Sequence, residues 1–133
     1  MLVPHGAVVA VVDGVKLELF RNTGDEAKPA LAAMKAPNLD EHNRGSGARH
    51  ISSSANPGHL LDEDAHAAAV GAWLTHEAIS GSISHLFVVA SPRTLGELRR
   101  HYGIHVEGVL RGEINKELIG RGAADVLAAL GLK

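Results

Sequence analysis

The sequence predicts an α/β fold built on a mixed five-stranded sheet, with helices on both faces. Residues 7–12 and residues 86–90 are short apolar runs, and such runs are typical of strands covered on both sides, as in a parallel sheet. An Asp-Gly pair at Asp13 follows the first run and favours a tight turn between antiparallel strands. Ser91, followed by a proline, ends the second run and favours a helix start.

Length and composition fit one globular domain over residues 1–133. The formal net charge of −2 is too small to indicate a dedicated nucleic-acid-binding domain. The chain has no cysteine, so disulfides and thiol chemistry are excluded. The N-terminal apolar stretch has no basic leader and is cut by Pro4, His5 and Asp13. We therefore expect no signal peptide, no membrane partner and a cytoplasmic protein.

The residues after the first turn extend the sheet. Residues 15–20 largely alternate apolar and polar side chains and predict a second strand, antiparallel to the first. Residues 21–29 predict a charged loop, and residues 30–39 predict a third strand that pairs with the second. Residues 40–60 are rich in glycine, serine and histidine and have no apolar period, so we expect a long mobile loop there.

The first long helix is expected to begin at the acidic residues 62–64, because acidic side chains complement the positive end of a helix dipole. Its buried stripe is expected to contain Val70, Trp73, Leu74 and Ala78. A Gly-Ser pair just before the next apolar run ends this helix.

Two helices and one strand complete the pattern. The helix capped by Ser91 has apolar residues at helical spacing through Tyr102 and is expected to end at the next glycine. Residues 105–113 predict the fifth strand, parallel to the fourth because a helix makes the crossover. After a short turn, a closing helix is expected from about Ala123.

The resulting order, β-β-β-α-β-α-β-α, predicts a ribonuclease-H-like arrangement. An antiparallel meander of three strands followed by two parallel strands places the first strand at the centre, beside the fourth. Both buried strands then end at the same edge of the sheet. This topology is expected to bring Asp13 and Arg93 to a common rim.

Four segments of the chain also carry a resemblance to a known family. They are VVAVVDGVKLELF, the glycine-rich RGSGARH, FVVASPRTLGELR and VEGVLRGEINKEL. Over nearly its whole length the chain resembles the bacterial host-attachment proteins, which are similar in turn to the central domain of the archaeo-eukaryotic release factor and its bacterial relatives. The resemblance implies a ribonuclease-H-like domain, a tie to the ribosome or tRNA, and a phenotype of attachment to host cells. The release factor's catalytic loop carries Gly-Gly-Gln, and this sequence has no glutamine.

The edge where the buried strands end predicts an anion-binding site. In open α/β sheets ligands collect at the carboxyl ends of the strands, and a helix N-terminus favours a phosphate or a carboxylate. The candidate residues are Asp13, Ser91, Arg93, Thr94 and Arg111, with Arg111 expected to leave the fifth strand as a second cation. The alternative is that Ser91 and its proline only cap the helix and that Arg93 is solvated.

Further cations extend this hypothesis. A weak basic track along a nucleic-acid backbone would continue through Arg99, Arg100 and Lys116. Additional ligand candidates lie on the predicted loop, and they are Arg44, Arg49, His50 and His59.

A two-metal nuclease site would need several converging carboxylates. Asp13 could be joined by Glu113, expected after the fifth strand, and by Glu63 or Asp64 on the first long helix. The position directly after residues 86–90 is occupied by Ser91 and Pro92 and not by an acidic residue, so the cluster is incomplete.

The chain has nine histidines, and imidazole is a common ligand of zinc, copper and nickel, so a transition-metal site is a second metal hypothesis. Only His42, His50 and His59 could converge with His66, and solvated loop histidines are the favoured interpretation. We therefore expect neither a metal nor another cofactor.

These patterns favour a non-catalytic binding module for a phosphate-bearing ligand, and the resemblance implies that this ligand is the ribosome or tRNA. Two other hypotheses stay open. One is a hydrolase acting on nucleic acid or peptidyl-tRNA. The other is a structural protein that forms a homo-oligomer through a sheet edge or the apolar C-terminal helix.

Overall fold

The computed structural model describes residues 2–37, 39 and 58–131, with residues 58–63 described by their backbone alone. The strands are β1 (Val8–Val12), β2 (Leu17–Asn22), β3 (Leu31–Met34), β4 (Leu86–Ala90) and β5 (Leu110–Asn115). The helices in this part of the chain are α1 (Gly58–Ser80), α2 (Pro92–Arg99), α3 (Ile104–Val109) and α4 (Ala123–Ala129).

The five strands form one mixed sheet in the order β3-β2-β1-β4-β5. β1 pairs antiparallel with β2 and parallel with β4, and β5 pairs parallel with β4. The first strand is therefore central and lies beside the fourth, which confirms the predicted ribonuclease-H-like arrangement. The carboxyl ends of β1, β4 and β5 lie at one edge of the sheet.

The two central strands are buried at every residue because both faces of the sheet are covered. On one face, Val8, Ala10 and Val12 pack in a cluster with apolar residues of α1, α2 and α3. On the other face, Val9 and Val11 pack with residues of α4. Helices thus lie on both faces, as the apolar runs predict.

The predicted turn after β1 is confirmed and is held by the carboxylate of Asp13. Its Oδ1 atom accepts the backbone N–H groups of Val15, at 2.8 Å, and Lys16, at 2.6 Å. The turn sets the register of the hairpin, in which Val12 lies opposite Leu17.

β2 continues through Asn22, so the loop predicted over residues 21–29 begins too early. The side chain of Asn22 is fully buried. Its Nδ2 atom donates to the carbonyl oxygen of Val3 at 2.9 Å, and its Oδ1 atom accepts from the N–H groups of Gly24 and Ala30, both at 2.9 Å. These bonds satisfy a polar residue inside the fold, and they could not be read from polarity alone.

The first long helix begins at Gly58, four residues before the predicted acidic start at 62–64. The acidic run is a weak boundary signal because glutamate is also favourable inside helices. The end of the predicted loop at residues 58–60 is therefore helical, whereas residues 40–57 lie outside the described residues. The predicted stripe is buried at Val70 and Leu74 and half-buried at Trp73 and Ala78.

The prediction of a strand over residues 105–113 is wrong at its start. Residues 104–109 form helix α3, and β5 begins only at Leu110. Val106 is fully buried, whereas Ile104 is 78% exposed. Val106 and Val109 have the i, i+3 spacing of one helical face, and this face packs against the core, as does Leu110 at the start of β5.

None of the helices in the described part of the chain is long and apolar enough to cross a membrane.

Candidate functional site

The carboxyl-terminal edge of the parallel strands brings together residues that lie far apart in the sequence. Asp13 follows β1, Ser91 follows β4 and Lys116 follows β5. The backbone N–H of Lys116 donates to the carbonyl oxygen of Ala90 at 3.0 Å, so Lys116 lies directly beside the start of α2. We call Asp13, Ser91, Arg93, Thr94 and Lys116 the binding edge.

Ser91 is the N-terminal cap of α2, as predicted. Its backbone is extended, with φ −65° and ψ 162°, and its Oγ atom accepts from the Thr94 N–H at 3.3 Å. The Ser91 hydroxyl in turn donates to the Thr94 hydroxyl oxygen at 3.2 Å. Pro92 occupies the first helical position, where no N–H is needed. The positive end of the α2 dipole therefore faces the binding edge.

Arg93 lies in the first turn of α2 and is 58% exposed at its side chain. Its Nε atom lies 3.5 Å from Oε1 of Glu97, one turn further along the helix. More than half of the Arg93 side chain is open to solvent, so a phosphate at the binding edge can reach it.

Asp13 and Arg93 lie at the same edge of the sheet, as the sequence predicts, but the Asp13 carboxylate stabilises a turn there. Its carboxylate holds the turn after β1 through Val15 and Lys16. A carboxylate also repels an anion. The attraction for a phosphate at this edge must therefore come from the cations, and a role for Asp13 in ligand binding stays a prediction.

Arg111 lies at the opposite edge, which corrects its predicted position beside Arg93. It is the second residue of β5 instead of one that leaves the strand. Its Nε atom donates to Nδ1 of His85 at 3.2 Å, and one terminal nitrogen donates to the carbonyl oxygen of Gly108 at 3.0 Å. Because β5 starts later than predicted, Lys116 is the cation that reaches the binding edge.

A sequence model of bacterial archaeo-eukaryotic release factor family 12 matches residues 6–130. The chain belongs to this family. The predicted relationship to the bacterial relatives of the release factor is thereby confirmed, and the family suggests a translation-associated role. The host-attachment part of the resemblance stays a prediction. No curated protein matches the chain.

In this release factor family member, the predicted basic track along α2 is largely engaged in ion pairs. Arg99 reaches Glu113 in the middle of β5, with a shortest nitrogen–oxygen distance of 2.6 Å. A guanidinium nitrogen of Arg100 lies 3.4 Å from Oδ1 of Asp64 on α1. Both cations are thus paired with carboxylates on neighbouring elements. Lys116 is the member of the predicted track that has no ion pair among the described residues.

Glu113 therefore lies inside β5 and not after it, which corrects its predicted position. The Tyr102 hydroxyl is buried near it. Burial, with the charge of Glu113 as a smaller cause, raises the pKa of Tyr102 above its ordinary value. The hydrogen bond and charge of Glu113 raise the pKa of Arg99.

The predicted carboxylate cluster is separated in the fold. Asp13 is in the β1–β2 turn, Glu113 pairs with Arg99, and Asp64 lies near Arg100 and His101. Within the part of the chain that the structure describes, no three histidine or acidic residues are grouped so that they could hold a metal ion.

The loop candidates Arg44, Arg49 and His50 lie outside the described residues, as does His42. His59 lies in the first turn of α1, where only the backbone is described. His66 is buried on the same helix.

Proposed function

We propose that this family member is a non-catalytic binding module of the translation machinery, and that its binding edge holds the phosphate backbone of tRNA or ribosomal RNA. Family membership over residues 6–130 supports the link to translation. The observation that carries the binding role is the 3.0 Å bond from Lys116 N–H to the oxygen of Ala90. It puts the backbone of Lys116 beside the start of α2, the helix that carries Arg93, and this proximity supports a shared phosphate site.

The charges at this surface suit a phosphate backbone. Lys16 in the β1–β2 turn lies at the same edge, and neither Lys16 nor Lys116 forms an ion pair within the described residues. Arg93 in the first turn of α2 and Lys116 beside its start give two cations near a helix N-terminus, where a phosphate is favoured. Binding through such contacts weakens as salt rises, because each neutralised phosphate releases counterions.

Hydrolysis of peptidyl-tRNA is the main alternative that the family raises. Release factors use a Gly-Gly-Gln loop, and this sequence contains no glutamine. Binding without hydrolysis is therefore the proposal. Release of peptide from peptidyl-tRNA by the purified protein would contradict it.

The experiment is recovery of RNA with the native protein, purified with and without nuclease treatment. We expect the double variant Arg93→Ala/Lys116→Ala to lose most of the RNA that the wild type retains. Lys28→Ala is the matched control, because Lys28 is an exposed lysine in the β2–β3 loop at the opposite edge. Equal RNA on all three proteins would overturn the role of the binding edge.

The resemblance to host-attachment proteins adds a phenotype to the proposal. A strain lacking the gene is expected to attach less to host cells, and the wild-type gene to restore attachment. If the Arg93→Ala/Lys116→Ala gene restores attachment fully while its product has lost RNA, the phenotype is independent of the binding edge.

A further inference from the structure

A separate surface pocket of about 440 Å³ lies between β2, β3 and the segment that precedes α4. Its walls include Phe20 and Ala33 from the sheet, and Gly120, Gly122 and Ala123 from the other side. The volume falls within the range of roughly 300–1,000 Å³ that is usual for small-molecule sites. The small side chains leave a space with apolar walls.

One charged group lines the pocket among the described residues, and it is Glu18. Its Oε1 atom accepts the N–H of Gly120 at 3.1 Å, which fixes the carboxylate in place. Its Oε2 atom makes no hydrogen bond within the described residues. The pocket therefore offers one oriented acceptor to a ligand.

Three cationic residues, Lys16, Lys35 and Arg121, adjoin the lining of the pocket in the sequence, and we call them its rim. Lys16 and Lys35 are exposed neighbours of lining residues in the sequence, and neither forms an ion pair within the described part of the chain. Arg121 lies between two glycines of the wall, and its side chain is 63% exposed in a 3.5 Å contact with Asp125. A ligand with an anionic group at the mouth of the pocket would meet these cations.

We propose that this pocket binds a nucleotide, with the base between the apolar walls, an amino group of the base donating to Glu18, and the phosphate at the rim. A nucleotide combines three features that match the pocket, namely a base that can pack between apolar walls, an amino group that can donate to Glu18, and a phosphate that can meet the rim cations. A fatty acid lacks the donor, and a simple amine is repelled by the rim. The inference rests on the proposed function only in that an RNA would supply the nucleotide as an unpaired base.

The carboxylate also sets a preference among bases. Adenine, cytosine and guanine each present an amino group, and acidic side chains accept from such groups. Uracil presents its one N–H between two carbonyl oxygens, which a carboxylate repels. We expect AMP, CMP and GMP to bind roughly tenfold more tightly than UMP, in line with the usual discrimination by a side chain paired to a base.

The test is titration of the purified protein with AMP, with UMP and with a short single-stranded oligoadenylate. Ala33→Leu fills the pocket from an exposed position of β3, and we expect it to abolish AMP binding. Ala32→Leu is the control, because Ala32 is equally exposed on the same strand but faces the opposite side of the sheet. Glu18→Gln can keep the bond from Gly120 and is expected to bring UMP to within about twofold of AMP.

No binding of AMP or oligoadenylate, or equal binding by the Ala33 and Ala32 variants, would overturn the pocket inference. Binding of free AMP as tightly as oligoadenylate would support it with free nucleotides as the source, and tighter binding of oligoadenylate would support it with RNA as the source. The Arg93→Ala/Lys116→Ala variant should bind AMP like the wild type. The pocket proposal can therefore fail while the binding-edge proposal holds, and the reverse, and these experiments tell the two outcomes apart.

Discussion

Arg99, at the end of α2, holds the carboxylate of Glu113 in the middle of β5 with two of its nitrogens, at 2.6 Å and 3.1 Å. Glu113 is mostly covered, whereas Arg99 is largely exposed. The pair ties the helix that begins at the binding edge to the outer parallel strand. We expect Glu113→Ala to lower the melting temperature, since Arg99 then loses its partner and α2 loses this tie.

Glu107→Ala is the control for that change, because Glu107 is an exposed glutamate on α3 with no ion pair among the described residues. Both variants lose one carboxylate, so their net charges match. Equal melting temperatures for the two variants would contradict a role for the Arg99–Glu113 pair.

Asn22 is expected to be a major determinant of stability. Replacement by alanine leaves the buried oxygen of Val3 and the partly buried N–H groups of Gly24 and Ala30 without these partners. We expect Asn22→Ala to lower the free energy of unfolding by about 2–4 kcal/mol. Thr23→Ala, at the exposed next residue, should change it by less than about 1 kcal/mol. Denaturant unfolding measures both, and a loss below about 1 kcal/mol for Asn22→Ala would refute this account.

Two helical glycines should respond to alanine in opposite directions. A Cβ atom on Gly71 of α1 would lie 2.7 Å from the Cβ atom and 3.0 Å from the backbone oxygen of His101. We expect Gly71→Ala to destabilise the protein by about 1–3 kcal/mol through this overlap. A Cβ atom on Gly96 of α2 would meet no atom within 4 Å. Gly96→Ala should stabilise by roughly 0.5–1 kcal/mol through helix propensity. Thermal unfolding decides the signs, and a stabilising Gly71→Ala would show that α1 packs differently.

Tyr102 gives a prediction for alkaline pH. Its pKa in the folded protein is raised by burial, while the unfolded chain ionises near the ordinary value of 10.0. Above that pH the unfolded state loses a proton that the folded state keeps, so stability falls as pH rises. Below it, Tyr102 contributes no pH dependence.

Because the chain has one tyrosine, tyrosinate absorbance reports this group directly. We expect little tyrosinate in the folded protein above pH 10 and a flatter alkaline stability profile for Tyr102→Phe. An ordinary titration midpoint in the folded protein would contradict the burial of the hydroxyl.

Self-association, the third hypothesis from the sequence, has its own test in a light-scattering mass. If the protein is a homo-oligomer, the mass should exceed the 13.9 kDa of one chain.

The parts of the fold that are set by burial could be predicted from the sequence. β1 and β4 are apolar at every position because helices cover both faces, so their runs stand out. The turn at Asp13 and the cap at Ser91 are local structures, formed by bonds to residues two or three positions along the chain.

The segment before β5 could not be assigned correctly because its pattern fits two periods. Val106 and Leu110 suit an alternating strand or a helical face equally well, and only packing against α1 and the core selects the helix. This shift of the strand start moved Arg111 to the opposite edge of the sheet. It also moved Lys116 to the binding edge.

Ion pairs between residues that are distant in the sequence could not be predicted from the sequence either. Arg99 and Glu113 are 14 positions apart, and Arg100 and Asp64 are 36 positions apart. Nothing in composition or spacing links such partners. The predicted basic track was therefore too long, since Arg99 and Arg100 form ion pairs with carboxylates on other elements.

The most direct test of the account is the salt dependence of tRNA binding, measured by fluorescence anisotropy with labelled tRNA. If Arg93 and Lys116 each contact a phosphate, the slope of log K against log salt should be shallower by about 2 in Arg93→Ala/Lys116→Ala than in the wild type. Lys28→Ala should keep the wild-type slope. A double variant that binds tRNA with the wild-type affinity and slope would contradict the binding edge.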